Sequence, residues 1–411
     1  MEEAFLTSPA AVGKNVKRRK HKHGSLLDVA SRSHLPPGPE SLEQLFDFPG
    51  DLVDAVFADV SRADRCRRLL MHGVVEHSDY SGICAERESK RLLFQVLREQ
   101  KRLDVAHVFT KSCDSDAQCQ KVLLHMSAVL DGGASCVFTD IRQQVVEDAQ
   151  NWCTAMTPGQ EDDGLYAREQ VEGRYKEIQE YLLSNSSWVV DQDLSSPESC
   201  CPCSPFPLWC SCALPCPALQ DHKSHCLVHN KPCVVNKPRD ALPLPGALVI
   251  ANAGNCCQGW SQEGKRARGA HHSQLALATW VCQRHALAQT QQEDMFFQEC
   301  TPLFDADTFL VNPLKETHHC VRVVAGPKLL GWPTARDRLL SAGLSLKSLQ
   351  WVGPETQEGI QEEFDLMFAR CPRLNGSVFL QEGVAVREQW ARDQVRKKKI
   401  CSQRSCLRER S

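Results

Sequence analysis

No apolar run of about 18 residues, the length a membrane-spanning helix needs, occurs in this sequence, so a membrane span is not expected. No apolar core follows the N-terminus in the manner of a secretory leader. No charge of one sign prevails either. The 48 Lys and Arg face 51 Asp and Glu, a formal net charge of −3, which argues against a uniformly basic nucleic-acid coat. Helix or strand periodicity is missing from residues 200–233 and is thin after about residue 355. Cysteine, by contrast, is abundant. The 22 cysteines are spread over all 411 residues rather than framed as a small disulfide scaffold, which points to a reduced intracellular compartment with thiols free for packing, metals or catalysis.

Local composition divides the chain into five parts. Residues 1–66 contain the basic cluster "KNVKRRKHKHG" and the breaker "LPPGPES" and are expected to be a disordered tail, with the cluster a candidate for nuclear import or phosphate contact. Residues 67–147 alternate strand and helix: "LLMHGVV", "SKRLLFQVLREQ", "VAHVFTKSCD", "AQCQKVLLHMSAVL" and "SCVFTDI". That alternation predicts an α/β fold, a Rossmann-like, doubly wound and mostly parallel sheet. Residues 148–243 read as an insertion, a charged helix followed by a Cys- and Pro-rich stretch. The α/β pattern resumes over 244–354 with "GALVIANAG", "SQLALATWVCQRHALAQ", "DMFFQEC" and "HCVRVVA". Residues 355–411 form a residual segment with a basic end.

In such sheets the ligand lies beyond the carboxyl ends of the strands. "DYSGI" (Asp79, Tyr80, Ser81, Gly82, Ile83) falls after the first predicted strand, Asp114 after the second, and Asp140 with Ile141 after the third. "AGNCCQGWSQEGKRARG" follows the strand "GALVIA", so a thiol there sits at the same edge, where a nearby cation would favour the thiolate. Glu299 follows the next strand, and Arg336 and Arg338 are two residues apart in an extended segment. A thiol, a carboxyl and paired guanidinia at one edge are the groups needed to add a nucleophile to an electron-poor ring, protonate the ring and orient an exocyclic oxygen.

Together these segments resemble the cytosine-C5 methyltransferase family, a class I methyltransferase fold that uses S-adenosylmethionine and flips its target base. "CCQGWS" followed by "GKRARG" resembles the nucleophile loop PCQ-x-[FW]-S. That register implies Cys257 as the nucleophile and puts Cys256, next to the cofactor, in the place of proline. "QEC" resembles the E-N-V element, implying that Glu299 contacts the ring nitrogen. "GWPTARDRL" is similar to G-x-P-Q-x-R-x-R, with Thr334 in the glutamine place. "DYSGICAE" resembles the loop D-[LF]-F-[SA]-G-I-G-G that cradles the methionine end of the cofactor. The resemblance further implies ribose binding by Asp114 and adenine binding by Asp140 and Ile141. It covers about residues 70–345.

The sequence departs from the family pattern in three places. Cys84 and Ala85 replace two glycines of the cofactor loop, Cys256 replaces the rigid proline, and no segment after residue 345 is identified with the family's later elements. Within the insertion, Cys200, Cys203, Cys210, Cys212, Cys216, His225, Cys226, His229 and Cys233 admit one or two zinc sites, with Cys200, Cys203, Cys226, His229 and Cys233 as the candidate ligands. The alternative is an unstructured inserted segment. The reading that results is a nuclear methyltransferase acting on C5 of cytosine in DNA. A tRNA substrate, or an inactive methyltransferase-like protein that binds nucleic acid, is the alternative.

Overall fold

A computed structural model of the chain describes residues 34–83, 85–129, 136–144, 223–254, 259–260 and 273–379, with residues 173, 176–177 and 179–180. Among them nine strands form one sheet. In chain order they are β1 (Val74–Asp79), β2 (His107–Cys113), β3 (Cys136–Phe138), β4 (Lys223–Cys226), β5 (Lys231–Val234), β6 (Leu248–Gly254), β7 (Met295–Cys300), β8 (His318–Ala325) and β9 (Arg338–Ser345). Their order across the sheet is β5-β4-β3-β2-β1-β6-β7-β9-β8. The five central strands are parallel, and an antiparallel pair closes each side.

The fold is therefore α/β with a mostly parallel, Rossmann-like sheet, as the alternation of strand and helix predicted. It departs from the all-parallel dinucleotide order at one side, where β9 inserts antiparallel between β7 and β8. The chain runs outward from β1 to β3 and returns to β6 on the other side of β1. The strand order thus reverses between β1 and β6, which places the ligand crevice at their carboxyl ends.

Among the described residues, seven α-helices of five or more residues accompany the sheet: α1 (Leu42–Phe46), α2 (Phe48–Phe57), α3 (Val60–Leu70), α4 (Ala85–Lys101), α5 (Ala117–Val129), α6 (Ser273–Gln289) and α7 (Gln357–Phe368). β1 is buried along its whole length although four of its six residues are polar. Alternation sends Glu76 and Ser78 to one face and His77 and Asp79 to the other. On the first face α4 supplies partners. Lys90 pairs with Glu76, and the Ser78 hydroxyl donates to Glu86 at 2.5 Å. On the second face Arg284 of α6 stands 3.0 Å from Glu293, which is itself 3.1 Å from His77. β1 thus presents polar groups to the helical layer on each face.

An irregularity in β2 serves the same end. Phe109 aligns with Glu76 and Lys111 with His77, leaving Thr110 as the extra residue. Phe109 therefore faces α4, with the Arg87 guanidinium 5.6 Å from its ring. Lys111, two residues on, faces the α6 side, 3.5 Å from Asp79.

Two expected boundaries are corrected. Residues 42–70, assigned to a disordered tail reaching residue 66, form α1–α3. Ser41 and Asp59 cap α1 and α3 by accepting from the amides of Gln44 and Arg62. Val53 of α2 packs with Leu97 of α4 in one apolar cluster. Residues 357–368, read as lacking a pattern, form α7, capped by Thr356. The segment around Pro37 also bridges to Cys371, where the Gly38 amide donates to the Cys371 carbonyl at 2.8 Å. The flanks thus belong to the same packed unit. The expected tail at residues 1–33 and the basic end lie outside the described residues.

Gly343 marks the tightest contact in the reversed hairpin. A Cβ there would stand 2.1 Å from a carbon of the Phe296 ring, which is fully buried. Gly343→Ala is expected to lower unfolding free energy in urea by about 1–3 kcal/mol, as overpacked cores do. Combining it with Phe296→Leu should recover part of that loss.

Candidate functional site at the strand ends

The parallel register aligns the carboxyl ends of the five central strands. Asp79 aligns with Cys113 and with Ala253, Cys113 with Phe138, and Gly254 with Glu299. The loop after β1 turns at once. Tyr80 adopts φ 55° and Gly82 φ 53°, both left-handed. For tyrosine this conformation stores on the order of 1–3 kcal/mol of strain and persists only where surroundings impose it. Here Ser81 imposes it. Its amide donates to the Cys113 carbonyl at 2.9 Å, while its hydroxyl accepts from the Cys113 amide at 3.1 Å. No described residue lies within 4 Å of where a Gly82 Cβ would be, and the adjacent Ile83 is exposed.

Asp114 reaches across to this loop. One carboxylate oxygen accepts from the Gly82 amide at 2.7 Å and the other from the Asp116 amide at 2.8 Å. Each oxygen keeps a second acceptor position. On the other flank Gly254 ends β6 against the same loop. A Cβ on it would be 3.4 Å from the Tyr80 carbonyl oxygen and 3.8 Å from a Glu299 carboxylate oxygen.

Glu299 forms an ion pair with Nε of Arg338, and both side chains remain partly open to solvent. They meet because β7 and β9 are antiparallel neighbours, with Glu299 opposite Leu340, so that Arg338 lies diagonally across on the same face. Arg336 and Thr334 are exposed just before β9 begins. Cys256 and Cys257 lie outside the described residues. Gly254 precedes them in β6. Trp260 follows them, buried edge-on against Phe304 at 5.5 Å and Phe309 at 5.6 Å.

Three residues expected to contact the cofactor have neighbours of their own within the chain. Asp79 points into the interior, fully buried, with Lys111 at 3.5 Å and the Gln144 amide at 3.3 Å. Its geometry supports the sheet from below rather than facing the crevice, because the alternation of β1 aims it at α6. Ile141 is buried in the main apolar cluster with Phe138 and Trp260, where it cannot cover a ring in an open crevice. Asp140 does lie at the strand end, yet its carboxylate is gripped by the Arg142 side chain, Nη2 at 2.7 Å and Nε at 3.1 Å.

The ionic cluster on the α6 face escaped sequence reading because its members, His77, Asp79, Lys111, Arg284 and Glu293, are scattered along the chain. The only local sign was charge inside apolar segments. Also unforeseen was Cys136 on β3, which meets Cys226, His229 and Cys233. Their ligand atoms all lie within 4.8 Å of one another. Cys200 and Cys203 lie outside the described residues.

No protein-family model matches the chain, and no curated protein matches it. Among solved structures it is similar to a mutant of Spodoptera frugiperda DNMT2, at 11% identity over 68% of this chain and 52% of that one, with a TM-score of 0.29. It is similar to the S. pombe Dnmt2 methyltransferase at 8% identity, over 74% of this chain and 57% of that one, TM-score 0.32. The Entamoeba histolytica methyltransferase EhMeth matches at 11% identity, over 69% and 57%, TM-score 0.29. The chain spans little more than half the length of each.

The buried cluster gives a pH signature. Burial pushes Glu293 up to about 8, outweighing the nearby Arg284 and Lys111. A carboxyl raised in the folded state binds more protons there than when unfolded. Its contribution to stability is therefore full below the ordinary glutamate range and is lost as pH rises through about 8. His77 is lowered by burial and by Lys111 and Arg284, which has the opposite sign but acts below the ordinary histidine value of about 6.5. Unfolding free energy should accordingly fall between pH 6.5 and 8, and Glu293→Gln should flatten that slope. A wild-type profile that rises across this window would contradict the assignment.

Proposed function

We propose that this chain is an S-adenosylmethionine-dependent methyltransferase that modifies C5 of cytosine in DNA, with Cys257 as nucleophile. The observation that carries the reading is the Glu299–Arg338 ion pair, set beside Gly254 at the point where the strand order reverses. A carboxyl and a guanidinium meet there, at the foot of the segment that bears the thiol and one loop away from Tyr80–Gly82. The fold similarity to solved methyltransferases is too slight to add weight.

The crevice suits the cofactor in part. The left-handed Tyr80–Gly82 loop leaves open space at Gly82, and Asp114 keeps acceptor positions for ribose hydroxyls at the end of β2. When bound, S-adenosylmethionine supplies an electrophilic methyl group. The residues of this chain do the rest. As cytosine displaces Glu299 from Arg338 the carboxylate takes up a proton from water; the Cys257 thiolate then adds to C6, Glu299 passes that proton to the ring nitrogen, and Arg338 orients the exocyclic oxygen. The adduct raises electron density at C5, which takes the methyl group. Water then takes the C5 proton as the C6–S bond breaks and releases the thiolate, and the ring nitrogen returns its proton to Glu299. Basic segments at both ends of the chain would add salt-sensitive phosphate affinity and suit a nuclear location.

The Asp140–Arg142 pair and the burial of Ile141 favour a second reading, a methyltransferase-like protein that binds nucleic acid without turnover. Oligonucleotides carrying 5-fluorocytosine separate the two, because fluorine at C5 blocks the final elimination. With S-adenosylmethionine present, a denaturant-stable adduct should form on DNA, disappear in Cys257→Ser and persist in Cys256→Ser. Glu299→Gln should slow its formation by about 10²–10⁴-fold. An adduct on tRNA alone would move the substrate to RNA. No adduct on either, with no cofactor binding by calorimetry, would leave the inactive reading.

A further inference from the structure

We propose that Cys136, Cys226, His229 and Cys233 bind a structural zinc ion that staples the β4–β5 hairpin to the edge of the sheet. The His229 Nδ1 atom lies 3.4 Å from the Cys226 sulfur, 3.4 Å from that of Cys233 and 3.9 Å from that of Cys136. With Zn–S near ~2.3 Å and Zn–N near ~2.0 Å, the sulfur-to-nitrogen edge of a tetrahedron is about 3.6 Å. All four ligand atoms fall within 4.8 Å of one another, which is the span of one ion's coordination shell. The three cysteines are free thiols.

Three elements build the site. Cys226 closes β4, His229 sits in the turn and Cys233 lies on β5, while Cys136 opens β3. The turn is tight because Asn230 takes a left-handed conformation, φ 48°, just after the histidine. Cys136 and Cys226 are buried, Cys233 is half-buried and His229 is exposed, so the cluster is sealed toward the sheet. The fourth ligand thus comes from the parallel core, not from the cysteines of the "CCPC" segment.

Among the described residues the backbone tie between the hairpin and the sheet is short. A single registered pair, Phe138 with Cys226, and one further bond, the Leu227 amide to the Val137 carbonyl at 2.8 Å, join it to β3. A metal there closes the base of the long excursion between Cys136 and Cys226 and fixes the strand whose end carries Asp140. Four protein ligands leave no open coordination position, so the role is structural rather than catalytic.

Metal analysis of the purified full-length chain should find one zinc per molecule. Cobalt(II) exchanged into the protein should give thiolate charge-transfer and tetrahedral absorption bands. Cys226→Ser should lose the metal, and Cys200→Ser combined with Cys203→Ser should keep it. His229→Cys should keep one metal with a stronger thiolate-to-cobalt band, which tests the ligand set even if Cys226→Ser fails to fold. Chelation of the wild type should lower its melting temperature. A zinc-free chain that gives no cobalt bands would overturn the proposal. So would full zinc content in Cys226→Ser, loss of zinc with the Cys200 and Cys203 changes, or a disulfide between any two of the three cysteines in the protein as purified.

Discussion

Two cations from opposite layers clamp the central strand. Lys90 of α4 meets Glu76 on one face of β1, and Arg284 of α6 meets Glu293 and His77 on the other. Removing one partner from the buried Lys90–Glu76 pair costs about 3–5 kcal/mol, because the remaining charge is stranded away from water. The arrangement therefore ties the position of each helix to the position of β1. It also ties neighbouring strands to it. His107 and Asn252 bond to the same Glu76 from β2 and β6.

The crevice inherits that rigidity. β1 lies where the strand order reverses, so the loop it releases is held at its root by buried charge and at its shoulder by Ser81 on β2. Only a rigid frame keeps a tyrosine in the left-handed region. On the far side Gly254 can approach the Tyr80 carbonyl because it has no side chain, and the approach sets the end of β6 next to Glu299. The reversed β8–β9 hairpin adds Arg338 from a strand running against β7. An all-parallel sheet would present a strand's amino end there only by reversing the strand, which is what β9 does.

Both sides of the sheet are finished by antiparallel pairs, but by different physics. β8 and β9 share an eight-residue ladder and pack Phe296 against Gly343. β4 and β5 are short and polar, touch β3 through one registered pair and, with their turn, bring three donors to meet the Cys136 sulfur of β3 instead. Where apolar area and ladder hydrogen bonds are scarce, metal ligation is the available means of fixing an edge.

Much of this was legible in the residues. Strand-helix alternation specified the parallel core, the seventeen-residue span of α6 and the strand ends at which Asp114, Gly254 and Glu299 appear. Periodicity reports local structure, and local structure is enough to place residues at an edge. The capping residues Ser41, Asp59 and Thr356 also announce α1, α3 and α7, though beside a basic cluster and a proline breaker they are easily read as tail. Tertiary structure alone decided the facing. One extra residue in β2 turns Lys111 toward α6, and strand alternation turns Asp79 inward. Ile141 enters the core, and Cys136 meets a histidine 93 positions away. Sequence order fixes which strand end a residue reaches. The side of the sheet it faces, and the distant partner it finds there, follow only once the layers have packed.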